Sequence, residues 1–211
     1  MIWTPRVWVL RQMPDRIEHM RIKLAGVGLP SSDYDLNPEI KLPPGRKLRD
    51  AAVLVPLIEQ GGEWRVILTM RSSALKHHPG QIAFPGGKQD DGDVDLIETA
   101  LREAEEEIGL PRENVDVLGA LPSHETVTGF TVTPIVGVLH APFEPKPEVG
   151  EVAEVFTVPL EFLTKPENFQ VQSRRWRGQR RYYYTIPYGS YYIWGATARM
   201  LRAFADTLAA R

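Results

Sequence analysis

The chain has 211 residues, of which 43% are apolar and 25% are charged, and it contains no cysteine. These proportions are those of an ordinary folded domain and exclude a disordered chain, a collagen-like fibre and a coiled coil, while the missing cysteine excludes disulfides, thiolate catalysis and zinc–thiolate or iron–sulfur sites. Because 25 Lys and Arg residues nearly balance 27 Asp and Glu residues, for a net charge of −2 at pH 7, we expect no global attraction to nucleic acid or anionic lipid.

No stretch reaches the roughly 18 uncharged apolar residues of a membrane span. Residues 1–20 mix charged and aromatic side chains and lack the continuous apolar segment of a secretory signal. Since a chain without cysteine also fits a reducing compartment, we expect a cytoplasmic protein without a membrane or nucleic-acid partner. The sequence does not fix the oligomeric state, so a homodimer stays open.

The first predicted region is an N-terminal arm over residues 1–48. Within it, residues 15–24 carry apolar side chains at a helical spacing, which predicts a short helix. Residues 26–44 are rich in Gly, Pro, Ser and Asp and predict a loop. We expect this arm to pack on a main domain over residues 49–211. Three roles are open for it: covering the functional site, joining two subunits or extending the core.

The main domain begins with a predicted β-hairpin. The apolar run over residues 52–58 predicts a buried strand, residues 64–69 predict its partner, and Gly61-Gly62 marks a turn within a loop of several residues. Further strands are predicted over residues 115–121, 131–139, 153–158, 182–186 and 191–194, and helices over residues 96–108, 159–163 and 196–210. Strands interleaved with a few helices indicate an α/β or α+β sandwich with a mixed central sheet.

The most informative segment runs from residue 80 to residue 110. It combines a short predicted strand over residues 80–84, a turn-rich Gly-Gly loop and a helix. Asp95 is a favourable N-cap, with Glu98 three residues later as in a capping box, and Gly109 ends the helix in the C′ position. One face of this helix is apolar and is predicted to enter the core; it contains Ile97, Ala100, Leu101, Ala104 and Ile108.

A second face of the helix gathers three carboxylates, from Glu103, Glu106 and Glu107. Like charges at these spacings repel by about 0.2–0.5 kcal/mol per pair, so the cluster needs either a bound cation or enough solvent to screen it. Hard oxygen ligands suit Mg²⁺ or Mn²⁺ rather than zinc, and the neighbouring Arg102 could hold one carboxylate with two hydrogen bonds. The alternative is a solvated acidic face, which the surrounding strand, Gly-Gly loop and helix caps disfavour.

At these residues the sequence resembles the Nudix hydrolases. Their signature ends in Arg-Glu, an aliphatic residue, any residue, Glu-Glu, any residue, Gly and an aliphatic residue, and residues 102–110 match this half when Ala104 counts as the aliphatic. The first half departs, because Arg102 comes one residue late relative to Gly87 and Asp93 stands where the family has its first Glu. The resemblance implies an α/β/α sandwich with a central mixed β-sheet and a catalytic strand–loop–helix.

The longer spacing is similar to that of the Nudix coenzyme A pyrophosphatases. This branch also carries an upstream signature resembling LLTxRS followed by FPGG, to which residues 67–72 and 75–87 are similar. The resemblance implies hydrolysis of the diphosphate bond of coenzyme A or acyl-CoA, giving 3′,5′-ADP and 4′-phosphopantetheine or its acylated form. Two alternatives stay open: a Nudix hydrolase of another nucleoside diphosphate derivative, such as ADP-ribose or NADH, and a non-catalytic nucleotide-binding module.

The resemblance also implies the residues of the site, with Mg²⁺ or Mn²⁺ as the cofactor. The implied metal ligands are the carboxylates of Glu103, Glu107 and Glu106, with the backbone carbonyl of Gly87 or Gly86 completing the shell. The implied catalytic residues are Arg102, Glu106 and Glu125. The implied substrate-binding residues are Arg71, Lys76, His78 and Gly86.

These catalytic roles differ in kind. Arg102 is expected to position a glutamate rather than to touch the substrate. The general base is either Glu106 on the helix or Glu125, which lies in a loop after a predicted strand. For Glu125 an exposed loop carboxylate without a role in the reaction is equally compatible with the sequence.

Basic side chains cluster in two places. Arg71 and Lys76 precede the Gly-Gly loop and are expected to meet phosphate, although Arg71 could instead form a structural salt bridge. A metal role for His77-His78 is disfavoured because neighbouring strand residues point in opposite directions, and His78 is assigned a structural or substrate role. The run over residues 174–181 predicts a hairpin around Gly178. A solvated hairpin, a contact to a CoA phosphate or a subunit, and RNA binding are the open interpretations, with RNA disfavoured by the net charge.

Overall fold

The computed structural model describes residues 16–210 except 27, 41, 44 and 177. Parts of the predicted arm, at residues 1–15, 27, 41 and 44, and residue 177 of the basic run lie outside the described residues. In the described chain, a large mixed sheet of nine strands lies between helices, and a three-stranded antiparallel sheet packs on one of its faces.

The strands of the large sheet are β1 (Ser31–Ser32), β2 (Arg49–Gln60), β3 (Glu63–Arg71), β4 (Ile82–Ala83), β5 (Gly86–Lys88), β6 (Val115–Ala120), β7 (His124–Glu125), β8 (Phe130–Leu139) and β9 (Val152–Pro159). Their order is β1-β7-β8-β2-β3-β4, with β5 paired to β2, β6 to β8 and β9 to β3. The pairs β2–β8 and β1–β7 are parallel and the other pairs are antiparallel. The predicted mixed sheet is therefore confirmed.

The small sheet consists of β10 (Gln170–Trp176), β11 (Gln179–Tyr188) and β12 (Tyr191–Trp194). The helices are α1 (residues 16–24), α2 (Leu96–Ile108), α3 (Leu160–Thr164) and α4 (Ala196–Ala209), and short 3₁₀ turns lie at Arg112–Asn114 and Pro166–Asn168. Each predicted strand and helix within the described residues is confirmed, with shifts of a few residues at the ends. None of the helices in this described part is long and apolar enough to cross a bilayer.

The turn of the β2–β3 hairpin is tighter than the sequence predicts. Gln60 pairs directly with Glu63, so only Gly61 and Gly62 connect the strands, with φ angles of 65° and 91°. The predicted loop of several residues is wrong because two consecutive glycines can both adopt the positive φ angles that a two-residue hairpin turn requires.

Two apolar cores cover the two faces of the large sheet. On one face the sheet packs against α2 through a cluster that includes Leu54, Ile67, Ala104 and Ile108. On the other face it packs against α3, α4 and the small sheet through a cluster that includes Val55, Leu68, Leu163, Phe204 and Ile193. Side chains of β2 alternate between these cores, as the two-residue repeat of a strand requires. Helices on both faces confirm the predicted sandwich.

One residue of the apolar face predicted for α2 does not enter the core. Ile97 is 39% exposed, whereas Ala100, Ala104 and Ile108 are buried. The helical repeat gives only the angular position of a side chain. Ile97 points in the same direction as the buried residues but lies in the first turn of α2, ahead of Thr99 and Ala100, where complete burial begins.

The N-terminal arm packs on the main domain through its described residues. Met20 and Leu24 of α1 are buried in the core that contains α4, and Asn37 is completely buried, accepting from the backbone N–H of Tyr182 at 2.8 Å and donating to its carbonyl at 2.9 Å. The loop predicted over residues 26–44 contains β1, which pairs in parallel with β7. That correction has a simple cause: the strand partner is distant in sequence, and two residues carry no local pattern.

Candidate active site

The α2 helix is fixed at both ends by the residues that the sequence indicates. Asp95 Oδ1 accepts a hydrogen bond from the backbone N–H of Glu98 at 2.8 Å. The returning bond of the capping box is displaced by one residue, since Glu98 Oε2 accepts from Val94 N at 2.8 Å instead of from the N-cap itself. Gly109 closes the helix with a left-handed φ of 69°. These local caps set the register in which the helix presents its glutamates.

Arg102 is held against the loop that precedes α2. Its Nε and Nη2 atoms donate to the two carboxylate oxygens of Asp93, each at 2.9 Å, and Thr99 Oγ1 donates to Asp93 Oδ2 at 2.9 Å. The hydrogen bonds from Arg102, before any other cause, hold the pKa of Asp93 well below its ordinary value. The two-fold clasp expected of Arg102 is present, and its partner is Asp93 rather than a glutamate.

The remaining N–H groups of Arg102 reach the helix and β5. Its Nη1 donates to Glu103 Oε1 at 3.1 Å and to Glu106 Oε2 at 3.0 Å, and its Nη2 also donates to the carbonyl of Lys88 at 3.2 Å. Together with the bonds to Asp93, these contacts use all five guanidinium donors. Arg102 is thus saturated by protein acceptors, two of which are the glutamates Glu103 and Glu106.

Glu107 is the most enclosed carboxylate of the α2 cluster. Glu107 is only 5% exposed, and its Oε2 accepts a hydrogen bond from the backbone N–H of Gly86 at 3.1 Å. Burial raises the pKa of Glu107 to about 7, helped by the charge of Glu103 and opposed by the Gly86 hydrogen bond and the Arg71 guanidinium. Burial likewise raises the pKa of the neighbouring Glu103. Both carboxyl groups therefore lie where negative charge is poorly compensated by the protein.

A side chain on either glycine of β5 would meet a neighbouring group. A Cβ atom on Gly87 would lie 2.5 Å from the carboxyl carbon of Glu103, and one on Gly86 would lie 2.5 Å from the carbonyl oxygen of Ala52 and the Cα of Val53. Gly86 has a φ of 155°, which also favours glycine. The Gly-Gly pair thereby brings the β5 backbone against the glutamates of α2.

The predicted trio of metal-binding glutamates is not assembled. In the part of the chain that the structure describes, no group of three or more His, Asp and Glu side chains is arranged to hold a metal ion. Glu106 is 58% exposed at its side chain, and its Oε2 accepts from the same Arg102 Nη1 that donates to Glu103. Glu103 and Glu107 do fit a divalent cation, because both are carboxylates whose negative form is disfavoured by burial and would be favoured by a bound positive charge.

A cavity of about 270 Å³ adjoins the β5 glycines through Val53, which pairs with Gly86, and the α2 glutamates are not among its lining residues. Arg71 and His78 line it, together with Phe84, the residue that leads through Pro85 into the β5 glycines. Arg71 has a buried Nε atom without a hydrogen-bond partner among the described residues. His78 adopts a left-handed φ of 55°, which is uncommon for a residue with a side chain.

The other two predicted substrate-binding residues stand outside the cavity wall. Lys76 is exposed and does not contribute to the lining. Gly86 pairs with Val53, which does line the cavity, and its N–H is taken by Glu107. Gly86 therefore contributes a close backbone approach rather than a free donor.

The structure brings residues to this cavity that no local pattern identifies. The predicted hairpin of the basic run is confirmed as β10–β11, and two of its arginines line the cavity wall with aromatic side chains of β11 and β12. Residues of the N-terminal arm and of the segment after β7 also line the cavity. These additional lining residues include Arg174, Arg181, Tyr183, Trp194, Asp33 and Thr126–Thr128. The basic and aromatic composition of residues 174–184 is the signal that pointed to three of them, Arg174, Arg181 and Tyr183.

Glu125 forms its ion pair with the N-terminal arm and not with a residue of α2. It lies in β7, and its carboxylate forms an ion pair with Arg46 of the N-terminal arm. The preceding residue, His124, is fully buried between Ser31, at 2.9 Å from its Nδ1, and Asp33, at 3.2 Å from its Nε2. The ion pair with Arg46 uses Oε1 of Glu125. A second cavity of about 780 Å³, between α1, the β2–β3 turn and α3, contains none of the predicted site residues.

The fold and the strand–loop–helix with its buried glutamates define a Nudix protein. The family model described as NUDIX domain matches residues 47–178, and the chain belongs to the Nudix hydrolases, which act on pyrophosphate bonds and generally use divalent metal ions.

Two similar proteins are named Uncharacterized Nudix hydrolase NudL. The one from Pectobacterium atrosepticum is 41% identical over 82% of this chain and 92% of its own length. The one from Cronobacter sakazakii is 42% identical over 74% of this chain and 81% of its own length. Among solved structures, the chain is similar to a C. elegans Ap4A hydrolase binary complex, with 22% identity, a TM-score of 0.47, and coverage of 53% of this chain and 80% of that one.

Proposed function

We propose that the protein hydrolyses the diphosphate bond of coenzyme A or an acyl-CoA and releases 3′,5′-ADP and 4′-phosphopantetheine or its acylated form. The observation that carries this proposal is the shared cavity of Arg71 and His78. Both belong to the upstream segment that resembles the coenzyme A branch, and the cavity adjoins the Gly-Gly strand against which Glu103 and Glu107 pack. The segment that resembles the coenzyme A branch thus lies beside the strand–loop–helix at which we expect the diphosphate to be hydrolysed.

Glu103 and Glu107 are proposed as the ligands of Mg²⁺ or Mn²⁺, with the backbone carbonyl of Gly87 beside them. Glu106 is proposed as a third ligand, direct or through water, which requires it to leave Arg102 Nη1. A bound divalent cation supplies charge neutralisation of the diphosphate and a lowered pKa for its water ligands. The enclosed position of Glu107 and the missing Cβ of Gly87 support this assignment.

The other residues are proposed to bind, orient and move a proton. Arg71 is proposed to bind a phosphate oxygen, since its buried Nε points to no protein acceptor among the described residues. Arg102 orients Glu103 and Glu106. Either Glu106 or Glu125 is proposed to take the proton of the attacking water, and the position of Glu125 directly before the Thr126–Thr128 wall of the cavity supports its candidacy.

The proposal is tested by a product assay. The protein is incubated in parallel with CoA, ADP-ribose and NADH in Mg²⁺ or Mn²⁺, and the products are separated by chromatography. We expect 3′,5′-ADP from CoA at a rate well above the turnover of the other two. Preferred cleavage of ADP-ribose or NADH would overturn the substrate, and nucleotide binding without any turnover would overturn the enzymatic proposal in favour of a binding module.

The proposals of a cytoplasmic location and of a homodimer are separate from the chemistry. Light scattering of the purified protein at several concentrations decides between one chain and two, which the sequence leaves open. Fractionation of the source cells tests the location. Neither result changes the assignment of the glutamates, because those contacts lie within a single chain.

A further inference from the structure

The β10–β11 hairpin adds two arginines to the wall of the cavity. Arg174 and Arg181 are direct cross-strand partners, and side chains of directly opposed residues project from the same face of an antiparallel pair. Both border the cavity of about 270 Å³. The next pair along the hairpin, Arg175 and Arg180, projects from the opposite face, is exposed and does not line the cavity.

This arrangement concentrates positive charge at one place. Like charges directly opposite each other across two strands destabilise a sheet. The guanidinium of Arg174 lies 4.6 Å from the ring centre of Trp194 and 6.0 Å from that of Tyr183, and the guanidinium of Arg181 lies 5.2 Å from that of Tyr34. An aromatic face attracts a guanidinium group through its ring electrons. Two arginines held in this way suit a phosphate group, whose oxygens accept several hydrogen bonds at once.

The hairpin arginines are a different cationic group from Arg71. Arg71 lies near enough to Glu107 to affect its pKa, which associates it with the carboxylates of α2. Among the described lining residues, Asp33 is the acidic one, and its two oxygens are engaged by Val127 N at 2.9 Å and His124 Nε2 at 3.2 Å. The cavity thus offers one cation beside the site of cleavage and two more on the hairpin.

We propose that Arg174 and Arg181 bind a phosphate monoester on the nucleoside end of the substrate, separate from the diphosphate that is cut, and so select substrates that carry this extra phosphate. The inference rests on the proposed function, because CoA has a 3′-phosphate on its ribose whereas ADP-ribose and NADH have no phosphate beyond the diphosphate. Tyr183 and Trp194 provide ring surface for the adenine base beside that phosphate.

The test compares CoA with dephospho-CoA, which lacks only the 3′-phosphate. We expect the wild type to prefer CoA in kcat/KM by about 10- to 100-fold, the range for charged hydrogen bonds to one group. The variant Arg174→Gln/Arg181→Gln is expected to lose this preference while keeping its rate on dephospho-CoA within about twofold. The matched control is Arg175→Gln/Arg180→Gln, which removes two arginines from the other face of the same strands and is expected to keep the preference.

A binding measurement gives a readout that does not depend on turnover. Without added metal, calorimetry compares the dissociation constants of 3′,5′-ADP, 2′,5′-ADP and 5′-AMP for each protein. We expect the wild type to bind 3′,5′-ADP about tenfold or more tightly than either of the others, and the Arg174→Gln/Arg181→Gln variant to bind all three alike. Tighter binding of both diphosphorylated nucleosides to an equal degree would reduce the site to general charge attraction and overturn the proposal.

The remaining outcomes separate this inference from the proposed function. If the wild type hydrolyses CoA but does not distinguish it from dephospho-CoA, or if the double variant loses rate equally on both, the hairpin arginines do not read the extra phosphate and only this inference falls. If the wild type hydrolyses neither, the proposed function falls and the calorimetric comparison alone decides the phosphate site. Should the double variant unfold, as judged by circular dichroism, the single variant Arg174→Gln replaces it, with an expected loss of preference of about tenfold.

Discussion

The α2 carboxylates and the β10–β11 arginines are both clusters of like charge, and the protein holds them in opposite ways. Glu103 and Glu107 are enclosed by the β5 backbone, and Arg102 donates to Glu103, to the more exposed Glu106 and to Asp93. The arginines lie on the wall of a cavity and are held by aromatic rings. A cluster that is enclosed and only partly neutralised is suited to a small cation, whereas a cluster that is open and flanked by rings is suited to a larger organic anion.

Removing the most enclosed carboxylate is expected to have the largest effect. Glu107→Gln keeps the side-chain volume but removes the charge that a divalent cation would balance, so we expect kcat/KM to fall by about a thousandfold with the fold intact. The control is Glu105→Gln, whose wild-type side chain pairs with Arg112 on another side of the helix. Steady-state rates over a range of Mg²⁺ concentrations check this. Near-normal activity at saturating Mg²⁺ would show that Glu107 does not serve the cation.

The next largest effect separates the two candidate bases. If a general base activates the water, its removal lowers kcat by about a hundredfold at least. We expect Glu106→Gln to show this loss and Glu125→Gln to change kcat by less than about tenfold, because Glu125 is paired with Arg46. A larger loss in Glu125→Gln than in Glu106→Gln would identify Glu125 as the base. The cavity wall would then take part in the reaction together with the α2 carboxylates. Pre-steady-state rates and the pH dependence of kcat distinguish a lost base from lost binding.

Loss of Arg102 tests how strongly the acidic cluster depends on this enclosed cation. Its side chain is 15% exposed and that of Asp93 only 4%, so Arg102→Ala leaves a nearly buried carboxylate without its partner. We expect the free energy of unfolding to fall by about 3 kcal/mol, measured by urea denaturation. Arg112→Ala, which breaks ion pairs on the exposed side of the same helix, is the control and is expected to cost less than about 1 kcal/mol. Equal losses would contradict the positioning role of Arg102.

Substitutions at the two β5 glycines are expected to differ in effect. The one at Gly86 lowers mainly the free energy of unfolding, and the one at Gly87 lowers mainly kcat/KM. A methyl group on Gly86 would meet the backbone of β2, which cannot move aside, so Gly86→Ala is expected to lower the free energy of unfolding by about 2 kcal/mol. A methyl group on Gly87 would meet the carboxylate of Glu103, which can rotate away. Gly87→Ala is therefore expected to fold with a loss of stability below about 1 kcal/mol while lowering kcat/KM by about tenfold. Thermal denaturation and rate measurements on both variants make the comparison.

The smallest expected effect is a change in how steeply the free energy of unfolding falls at acidic pH. The folded-state pKa of Asp93 lies well below its ordinary value of 3.8, so the unfolded chain binds more protons than the native one near that pH. The contribution of Asp93 is present above pH 3.8 and is lost as the pH falls below it. Asp93→Asn is expected to flatten this loss in urea titrations between pH 5 and pH 2, and the exposed Asp90→Asn serves as the control. An unchanged slope in Asp93→Asn would contradict the pairing with Arg102.

The helix half of the site could be predicted from the sequence because its determinants are local. The bounds of α2 follow from Asp95, Glu98 and Gly109, which lie within or beside the helix. The glutamate faces follow from the helical repeat, and the Asp93–Arg102 pair lies within one turn-and-helix segment. Even there the repeat misplaced Ile97, because an angular pattern does not say where along the helix the sheet begins to cover it.

The cavity half could not be predicted, because its walls come from distant parts of the chain. Asp33, Arg71, Arg174 and Trp194 meet only through the pairing of strands and the docking of the small sheet. The basic run predicted a hairpin, but a hairpin has two faces, and only the tertiary packing decides that Arg174 and Arg181 face the cavity. The two-residue strand β1 has no pattern of its own and exists because β7 offers it a partner.

The pairing of β1 with β7 has a consequence for where this protein can be cut. The family match begins at residue 47, after β1 and after Asp33, which supports the Thr126–Thr128 wall through Val127. A protein trimmed to that boundary would leave the outer edge of β7 without backbone partners, and an uncovered strand edge readily pairs with another chain. We expect such a shortened protein to associate and to lose discrimination among nucleotides while keeping the Glu103–Glu107 pair, which light scattering and the calorimetric comparison of nucleotides would measure.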